Sequence, residues 1–176
     1  YKPAPPQLDI WPKREAVVAR LEDGRIVPDV MRWGVPLATK GASGKPVTKW
    51  ITNVRNLASP FWKSMLTNPA QRCLVPFTSF AEPKPGRDEE TGRPAEWWFR
   101  LADESVGAFA GTWRASEHGK VFAFLTCEPN PLIAPLHPKA MPVVLDPSDY
   151  RGWLEDDYNN ACALALPYPS QLMWVS

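Results

Sequence analysis

Two titratable side chains follow apolar or turn-rich segments and are candidates for proton transfer. Glu82 ends the segment 78–82, which continues a stretch of apolar and turn residues, and His137 lies in the segment 134–139. Burial raises the pKa of a carboxyl group toward the range useful in acid–base catalysis, and a histidine titrates near neutral pH. The structural alternatives are that Glu82 pairs with Lys84 at a rim and that His137 is a hydrogen-bonded structural residue.

Asn53, Arg55 and Thr126 are further polar candidates. Asn53 and Arg55 stand two positions apart in an extended segment, so both side chains can point to one face. Thr126 ends the apolar run 122–126. The simpler interpretation of Asn53 and Arg55 is a hydrogen-bonding pair that holds a loop in place.

Charge is distributed unevenly along the chain. The net charge is only +1, yet no acidic residue occurs between Asp29 and Glu82. Basic residues in this acid-free block are Arg32, Lys40, Lys45, Lys49, Arg55, Lys63 and Arg72. Such a block makes a local positive field that attracts a polyanion, and Trp33 and Trp50 offer ring faces on which bases stack. The alternative of equal weight is a solvated surface, with the tryptophans in the core.

Short strands and few helices are predicted to position these residues. The predicted strands cover residues 15–21, 25–35, 96–101, 107–113, 121–126, 141–145 and 172–175, of which the third to fifth form a meander. The predicted helices cover residues 56–68, 146–155 and 159–166. Residues 40–46 and 83–94 are predicted loops, and the proline-rich first dozen residues are predicted to be extended. The sum is one α+β domain over 1–176, with a mostly antiparallel, barrel-like sheet flanked by short helices.

Composition and motifs exclude several classes of protein. No apolar stretch approaches the ~18 residues of a membrane span and no signal peptide is recognisable, so we expect no membrane partner and a cytoplasmic location. The cysteines are odd in number and lack CxxC pairing, which indicates neither zinc nor disulfides, and no cofactor is expected. No GxGxxG, P-loop, HExxH or GxSxG motif occurs. The start, Tyr1-Lys2-Pro3, has no initiator methionine, which predicts a longer gene product.

Seven short motifs occur in the order and approximate spacing of one known family. They are Met31-Arg32-Trp33-Gly34, Thr52-Asn53-Val54-Arg55-Asn56, Arg72-Cys73-Leu74-Val75-Pro76, Ser79-Phe80-Ala81-Glu82, Ala108-Phe109-Ala110-Gly111-Thr112-Trp113, Phe124-Leu125-Thr126 and His137-Pro138-Lys139-Ala140-Met141-Pro142. Through them the chain resembles the SOS response-associated peptidase (SRAP) family over about residues 31–154. The resemblance implies a monomeric α+β protein whose positive groove binds single-stranded DNA and couples covalently to abasic sites.

The chemistry implied by the resemblance uses an N-terminal cysteine, exposed when the protein removes its own initiator methionine. Its α-amine, with a pKa of about 8, forms a Schiff base with the aldehyde of an opened abasic sugar. Its thiol, with a pKa of about 8.5, then closes a thiazolidine ring. By motif, Asn53 is implied to position that cysteine, Glu82 to handle protons, and His137 to assist ring opening or Schiff-base proton transfer.

The resemblance also implies which residues contact DNA. Arg55 and Thr126 are expected to hold a phosphate or the sugar end, with Arg32 and Lys139 as further phosphate contacts and Trp33 as a stacking surface. The family commonly has an arginine shortly after the histidine. In this chain, Lys139 keeps the charge but not the bidentate geometry.

The reactive cysteine of the family has no counterpart in this sequence, because Cys73, Cys127 and Cys162 are internal and carry no free α-amine. We therefore expect the nucleophile in an upstream segment, or a homologue without it. Without that cysteine, the chain of 176 residues should bind single-stranded DNA weakly and salt-sensitively. Two other hypotheses remain: a peptidase that acts through Glu82 and His137, and a non-catalytic single-stranded-DNA-binding module.

Overall fold

Over residues 9–176, the part of the chain that the computed structural model describes, the fold is a closed five-stranded barrel with a smaller sheet, a hairpin and short helices. The strands are β1 (Glu15–Glu22), β2 (Arg25–Trp33), β3 (Val35–Lys40), β4 (Pro46–Ile51), β5 (Asn53–Val54), β6 (Arg72–Phe77), β7 (Phe80–Arg87), β8 (Pro94–Leu101), β9 (Gly107–Ser116), β10 (Gly119–Cys127), β11 (Met141–Pro142), β12 (Val144–Leu145) and β13 (Met173–Val175). The α-helices are α1 (Pro60–Leu66), α2 (Tyr150–Glu155) and α3 (Tyr158–Ala163). Most of the predicted extended start lies outside the described residues.

Antiparallel pairing builds most of the barrel, and one parallel pairing closes it. β1 and β2 form a hairpin whose turn residues, Asp23 and Gly24, have φ of 49° and 72°, as a type I′ turn requires. Antiparallel pairing continues from β1 to β6, β9 and β10. β10 then pairs in parallel with β2 through Val121 and Arg32. The predicted α+β fold with a mostly antiparallel, barrel-like sheet is confirmed.

An aromatic cluster joins the barrel to the smaller sheet of β7, β8 and β13. Phe109 on β9 stacks on Phe77 with 4.1 Å between ring centroids, and it meets Phe80 of β7 edge-on at 5.6 Å. Phe80 stacks in turn on Phe99 of β8 at 5.2 Å. Because these four rings are buried, they fix the smaller sheet against the barrel wall. The cluster thereby sets the position of the β7 residues that follow Phe80.

Several predicted elements are wrong, and each error concerns strand partners or prolines. β8 does not continue a meander into β9, because it pairs with β7 and β13 in the smaller sheet. The predicted loop 83–94 is strand at both ends: β7 extends to Arg87 and tolerates its prolines because it is an edge strand with an irregular register. The predicted strand 141–145 is split, since β11 pairs with β10 and β12 with β9.

A hairpin of β3 and β4, with residues 41–45 at its tip, replaces the predicted loop 40–46. Gly34 redirects the chain from the barrel into this hairpin, with a φ of +115° that favours glycine. Its N–H donates to the Phe122 carbonyl at 2.7 Å. The hairpin returns the chain to the barrel at Asn53, the first residue of β5, which pairs in parallel with β10.

The acid-free basic block does not form one surface, because Arg72 is fully buried. Its Nη1 donates to the Trp153 carbonyl at 2.6 Å, and its Nη2 donates to the Asp156 carbonyl. Arg72 therefore joins β6 to the end of α2 and is inaccessible to a polyanion. None of the helices in residues 9–176 is long and apolar enough to cross a membrane.

Candidate proton-transfer and anion-binding site

Glu82 and His137, distant in sequence, are brought together between β7 and the turn that precedes β11. Nδ1 of His137 lies 3.4 Å from Oε2 of Glu82 and 2.9 Å from the carbonyl oxygen of Ala140. The two side chains are 18% and 24% exposed, so the pair is partly shielded and still reachable. Because Nδ1 faces a carbonyl acceptor, it carries a proton, and Nε2 is left as the nitrogen that can accept one.

The environment of Glu82 favours its protonated form. Glu82 shares a face of β7 with the buried Phe80 and lies opposite Trp97 of β8. Burial raises the pKa of the Glu82 carboxyl, and attraction to His137 partly opposes that rise. The alternative pairing with Lys84 is not formed, since the Lys84 ammonium lies 4.1 Å from the centre of the Trp97 ring. Glu82 is thus a carboxyl that can hold and release a proton beside an imidazole.

Asn130 fixes the turn that carries His137. It is 3% exposed, and its Oδ1 accepts from the backbone N–H of Ile133 at 3.0 Å while its Nδ2 donates to the Tyr168 carbonyl at 2.7 Å. The Ile133 carbonyl then accepts from the backbone N–H of His137 at 2.8 Å. Asn130 is not among the residues predicted from the sequence, although Asn130-Pro131 is a turn-starting dipeptide that could have drawn attention to it.

Arg55 lies beside the same loop and is held by carbonyl groups. Its Nη1 donates to the carbonyl of Cys127 at 2.9 Å and to that of Lys139 at 3.1 Å. Its Nη2 forms an ion pair with Glu128, yet the Arg55 side chain remains 46% exposed. One side of the guanidinium is therefore fixed by the protein, and the other side faces solvent and a single carboxylate. This arrangement can bind a phosphate or another anion.

Lys139 connects Arg55 to the Glu82–His137 pair. Its carbonyl accepts from Arg55, and the next carbonyl along the chain, that of Ala140, contacts His137. The Lys139 side chain itself is exposed. A phosphate on Arg55 would consequently lie close to the loop that carries the imidazole.

Asn53 and Thr126 flank the same end of β10. Asn53 is exposed and pairs with Phe124 in the β5–β10 register, so the two side chains lie on the same face of the sheet. Thr126 is 8% exposed, and its hydroxyl donates to the Val54 carbonyl at 3.5 Å. Asn53 and Arg55 do not form the predicted alternative of a hydrogen-bonding pair, since no side-chain hydrogen bond of Asn53 occurs within residues 9–176.

Arg32 and Trp33 are the last two residues of β2. The Trp33 ring stacks on Phe124 at 5.4 Å between centroids, and its Nε1 donates to the Thr52 carbonyl at 3.2 Å, so one ring face is already covered. Its backbone bonds to Lys13 and Arg14, so the segment that precedes β1 passes beside the site. Arg32 lies 3.8 Å from Glu15 and, in the described part of the chain, bonds to no other predicted site residue.

The internal cysteines are unsuited to nucleophilic attack. Burial raises the pKa of all three thiols, that of Cys127 to about 11, and Cys73 is fully buried. None of the three is in a disulfide. A thiol that ionises only at high pH is a weak nucleophile at neutral pH. Within residues 9–176, no group of three His, Cys, Asp or Glu side chains is placed to hold a metal ion.

Comparisons with known proteins give a family, through a family model, and a fold, through solved structures. The family model "SOS response associated peptidase (SRAP)" matches residues 1–176. A structure from Bordetella bronchiseptica is similar at a TM-score of 0.75 and 23% identity, over 98% of this chain and 88% of that chain. A phage-related protein from the same organism is similar at a TM-score of 0.73 and 20% identity, over 98% of this chain and 82% of that chain. A protein from Bacteroides thetaiotaomicron is similar at a TM-score of 0.66 and 19% identity, over 90% of this chain and 71% of that chain. No curated protein matched.

Proposed function

The chain belongs to the SOS response-associated peptidase (SRAP) family, and we propose that it binds single-stranded DNA at abasic sites. Membership supports SOS-associated DNA binding as the broader role. The observation that carries the narrower proposal is the shared loop 137–140, which joins an exposed arginine to a carboxyl–imidazole pair. An abasic site offers both groups that such a pair of subsites would take, a phosphate and an aldehyde.

In this proposal, DNA is first held by its backbone. Arg55 binds a phosphate on its exposed side, and Lys139 adds a second positive charge from the adjoining loop 137–140. Neither contact reads a base, so this first step depends on backbone charge, and the abasic site is distinguished by its aldehyde. Trp33 is proposed to stack on a neighbouring base, and Thr126 and Arg32 are proposed to contact the DNA backbone.

We further propose that the gene product couples to the opened abasic sugar through an N-terminal cysteine. The α-amine attacks the aldehyde carbon, and loss of one water gives an imine. The thiolate sulfur then adds to the imine carbon while the nitrogen takes up a proton, which closes the thiazolidine without any oxidant or reductant. Glu82 supplies the proton that leaves with the hydroxyl as water. Nε2 of His137 accepts the proton that the C1′ hydroxyl loses when the sugar ring opens, while the ring oxygen takes up a proton from water.

Asn53 and Glu82 have an additional role in preparing that cysteine. Asn53 projects from β5 on the side of Phe124, whose ring stacks on Trp33. Because the Trp33 backbone bonds to the segment that precedes β1, Asn53 is proposed to position the cysteine. We propose that the peptidase activity in the family description is removal of the initiator methionine of the gene product, with Glu82 transferring protons.

The test is an adduct of defined mass. The full-length gene product, incubated with a single-stranded oligonucleotide that carries one abasic site, should give a species equal to protein plus oligonucleotide minus one water. Glu82→Gln should slow its formation by about 10²-fold, in the range of general acid–base catalysis. An oligonucleotide with a tetrahydrofuran analogue, which has no aldehyde, is the control. Absence of any adduct by intact mass spectrometry would refute cross-linking.

A further inference from the structure

We propose that Glu128 acts as an internal competitor for DNA, because its carboxylate occupies the position on Arg55 that a phosphate would take. This inference rests on the proposed function of Arg55 as a phosphate contact. Glu128 lies outside the seven sequence motifs, and its proposed effect is on how tightly the site binds DNA. We predict that DNA must displace Glu128 from Arg55. The chain therefore binds DNA less tightly than its basic side chains would allow without that carboxylate.

The orientation of Arg55 does not depend on Glu128. Two backbone carbonyls, those of Cys127 and Lys139, hold Nη1, and Glu128 engages only Nη2. A guanidinium fixed by carbonyls keeps its remaining N–H groups directed toward solvent, where a carboxylate or a phosphate oxygen can accept them. Loss of the Glu128 carboxylate therefore leaves a prepared and unoccupied anion site.

Glu128 is free to leave Arg55. Its side chain is 76% exposed, and within residues 9–176 it forms no hydrogen bond or ion pair with another residue. It directly follows the last residue of β10, outside the strand ladder. An exposed ion pair of this kind is worth little in water, so a backbone phosphate of DNA can displace it by a rotation of the Glu128 side chain alone.

Displacement has a signature in the salt dependence. Each phosphate that a free cation neutralises on single-stranded DNA contributes about −0.7 to the slope of log K against log salt concentration. In the wild-type chain, Arg55 is neutralised before and after binding, and the released Glu128 recruits a salt cation, so this contact contributes little. Glu128→Gln should steepen the slope by about 0.7.

The experiment measures equilibrium binding of this chain to a single-stranded oligonucleotide without abasic sites, by fluorescence anisotropy across a salt series. Glu128→Gln should raise the affinity at low salt by about threefold. Glu155→Gln is the matched control, because it removes one negative charge from another exposed ion pair, with Arg151 on α2. Arg55→Gln should lower affinity in the Glu128→Gln background by more than in the wild type.

Three outcomes would overturn the inference. Equal effects of Glu128→Gln and Glu155→Gln would mean that only net charge matters, and weaker binding by Glu128→Gln would mean that the carboxylate helps to orient Arg55. Absence of measurable binding by both the wild type and Glu128→Gln also counts against it. These results are distinct from failure of the proposed cross-linking, which is read as a missing adduct on an abasic oligonucleotide.

Discussion

Arg72 and Arg55 belong to the same acid-free stretch of sequence, and both donate to backbone carbonyls, yet they lie in opposite environments. Arg72 is fully buried between β6 and the end of α2. Arg55 is held at the end of β10 with nearly half of its side chain exposed. The first guanidinium joins two elements of the fold. The second is attached to the fold on one side and leaves the other side for an anion.

This difference separates positive charge that stabilises the fold from positive charge that can bind a partner. A buried guanidinium keeps its hydrogen bonds only because no water competes for them, so its removal leaves carbonyl groups unpaired. An exposed guanidinium gains little from its ion pair. Replacing a buried residue such as Arg72 should therefore lower the free energy of unfolding. Replacing residues near Arg55 should change DNA binding and chemistry, with small or even favourable effects on the free energy of unfolding.

The largest expected effect is on stability, at Arg72. Arg72→Met should lower the free energy of unfolding by about 3 kcal/mol, because the Trp153 and Asp156 carbonyls lose their donors in a buried site. For a chain of this length, that corresponds to a decrease in Tm of roughly 6–12 °C. Arg55→Met, measured in the same thermal unfolding assay, should change the free energy of unfolding by about 0.5 kcal/mol or less. Similar decreases for both variants would contradict the distinction.

A smaller effect of opposite sign is expected at Glu82. Burial places the pKa of Glu82 above that of the unfolded chain, so the folded chain binds more protons between those two values and stability falls as pH rises through that range. Glu82→Gln has no charge to desolvate and should raise Tm by roughly 2–4 °C, or about 1 kcal/mol, at pH 8. The gain should vanish below about pH 4, where the wild-type carboxyl is protonated in both states.

Attraction to His137 acts against that gain. The control is Glu89→Gln, which removes an exposed carboxyl from the loop between β7 and β8. A loss of Tm on Glu82→Gln that is the same at pH 4 and pH 8 would show that packing, and not charge, sets the stability of this position.

Local patterns in the sequence were sufficient for most of the fold. The β1–β2 hairpin followed from alternation around Asp23-Gly24, and the short helices followed from spaced apolar residues. The assignment of β8 failed because alternation reveals a strand and not its partner. β8 lies between β7 and β13, which are remote from each other in sequence. The two short strands β11 and β12 were merged for the same reason, since their separation depends on pairing with two different strands.

The candidate site was only partly predictable. Glu82 and His137 stood out because a polar residue follows an apolar stretch or a turn, and the structure brings them to 3.4 Å. Glu128 also follows an apolar stretch, but its partner Arg55 lies far away along the chain, and the parallel pairing of β5 with β10 brings the two together. Arg72 shows the opposite failure, because a basic residue in a basic stretch gives no sign that it is buried.

The smallest expected effect is at Lys139, which differs from Arg55 in having no carboxylate within ion-pair distance in the described part of the chain. Lys139→Ala should leave Tm unchanged and weaken binding to single-stranded DNA by about twofold to threefold, with a salt slope shallower by about 0.7. Lys120→Ala is the control, because it removes the same charge at the opposite end of β10. There the Lys120 ammonium lies 2.6 Å from the carboxylate of Asp29 on β2. If both variants weakened binding equally, DNA would respond to the overall charge of the protein, and the loop that carries Lys139 would have no special part in holding it.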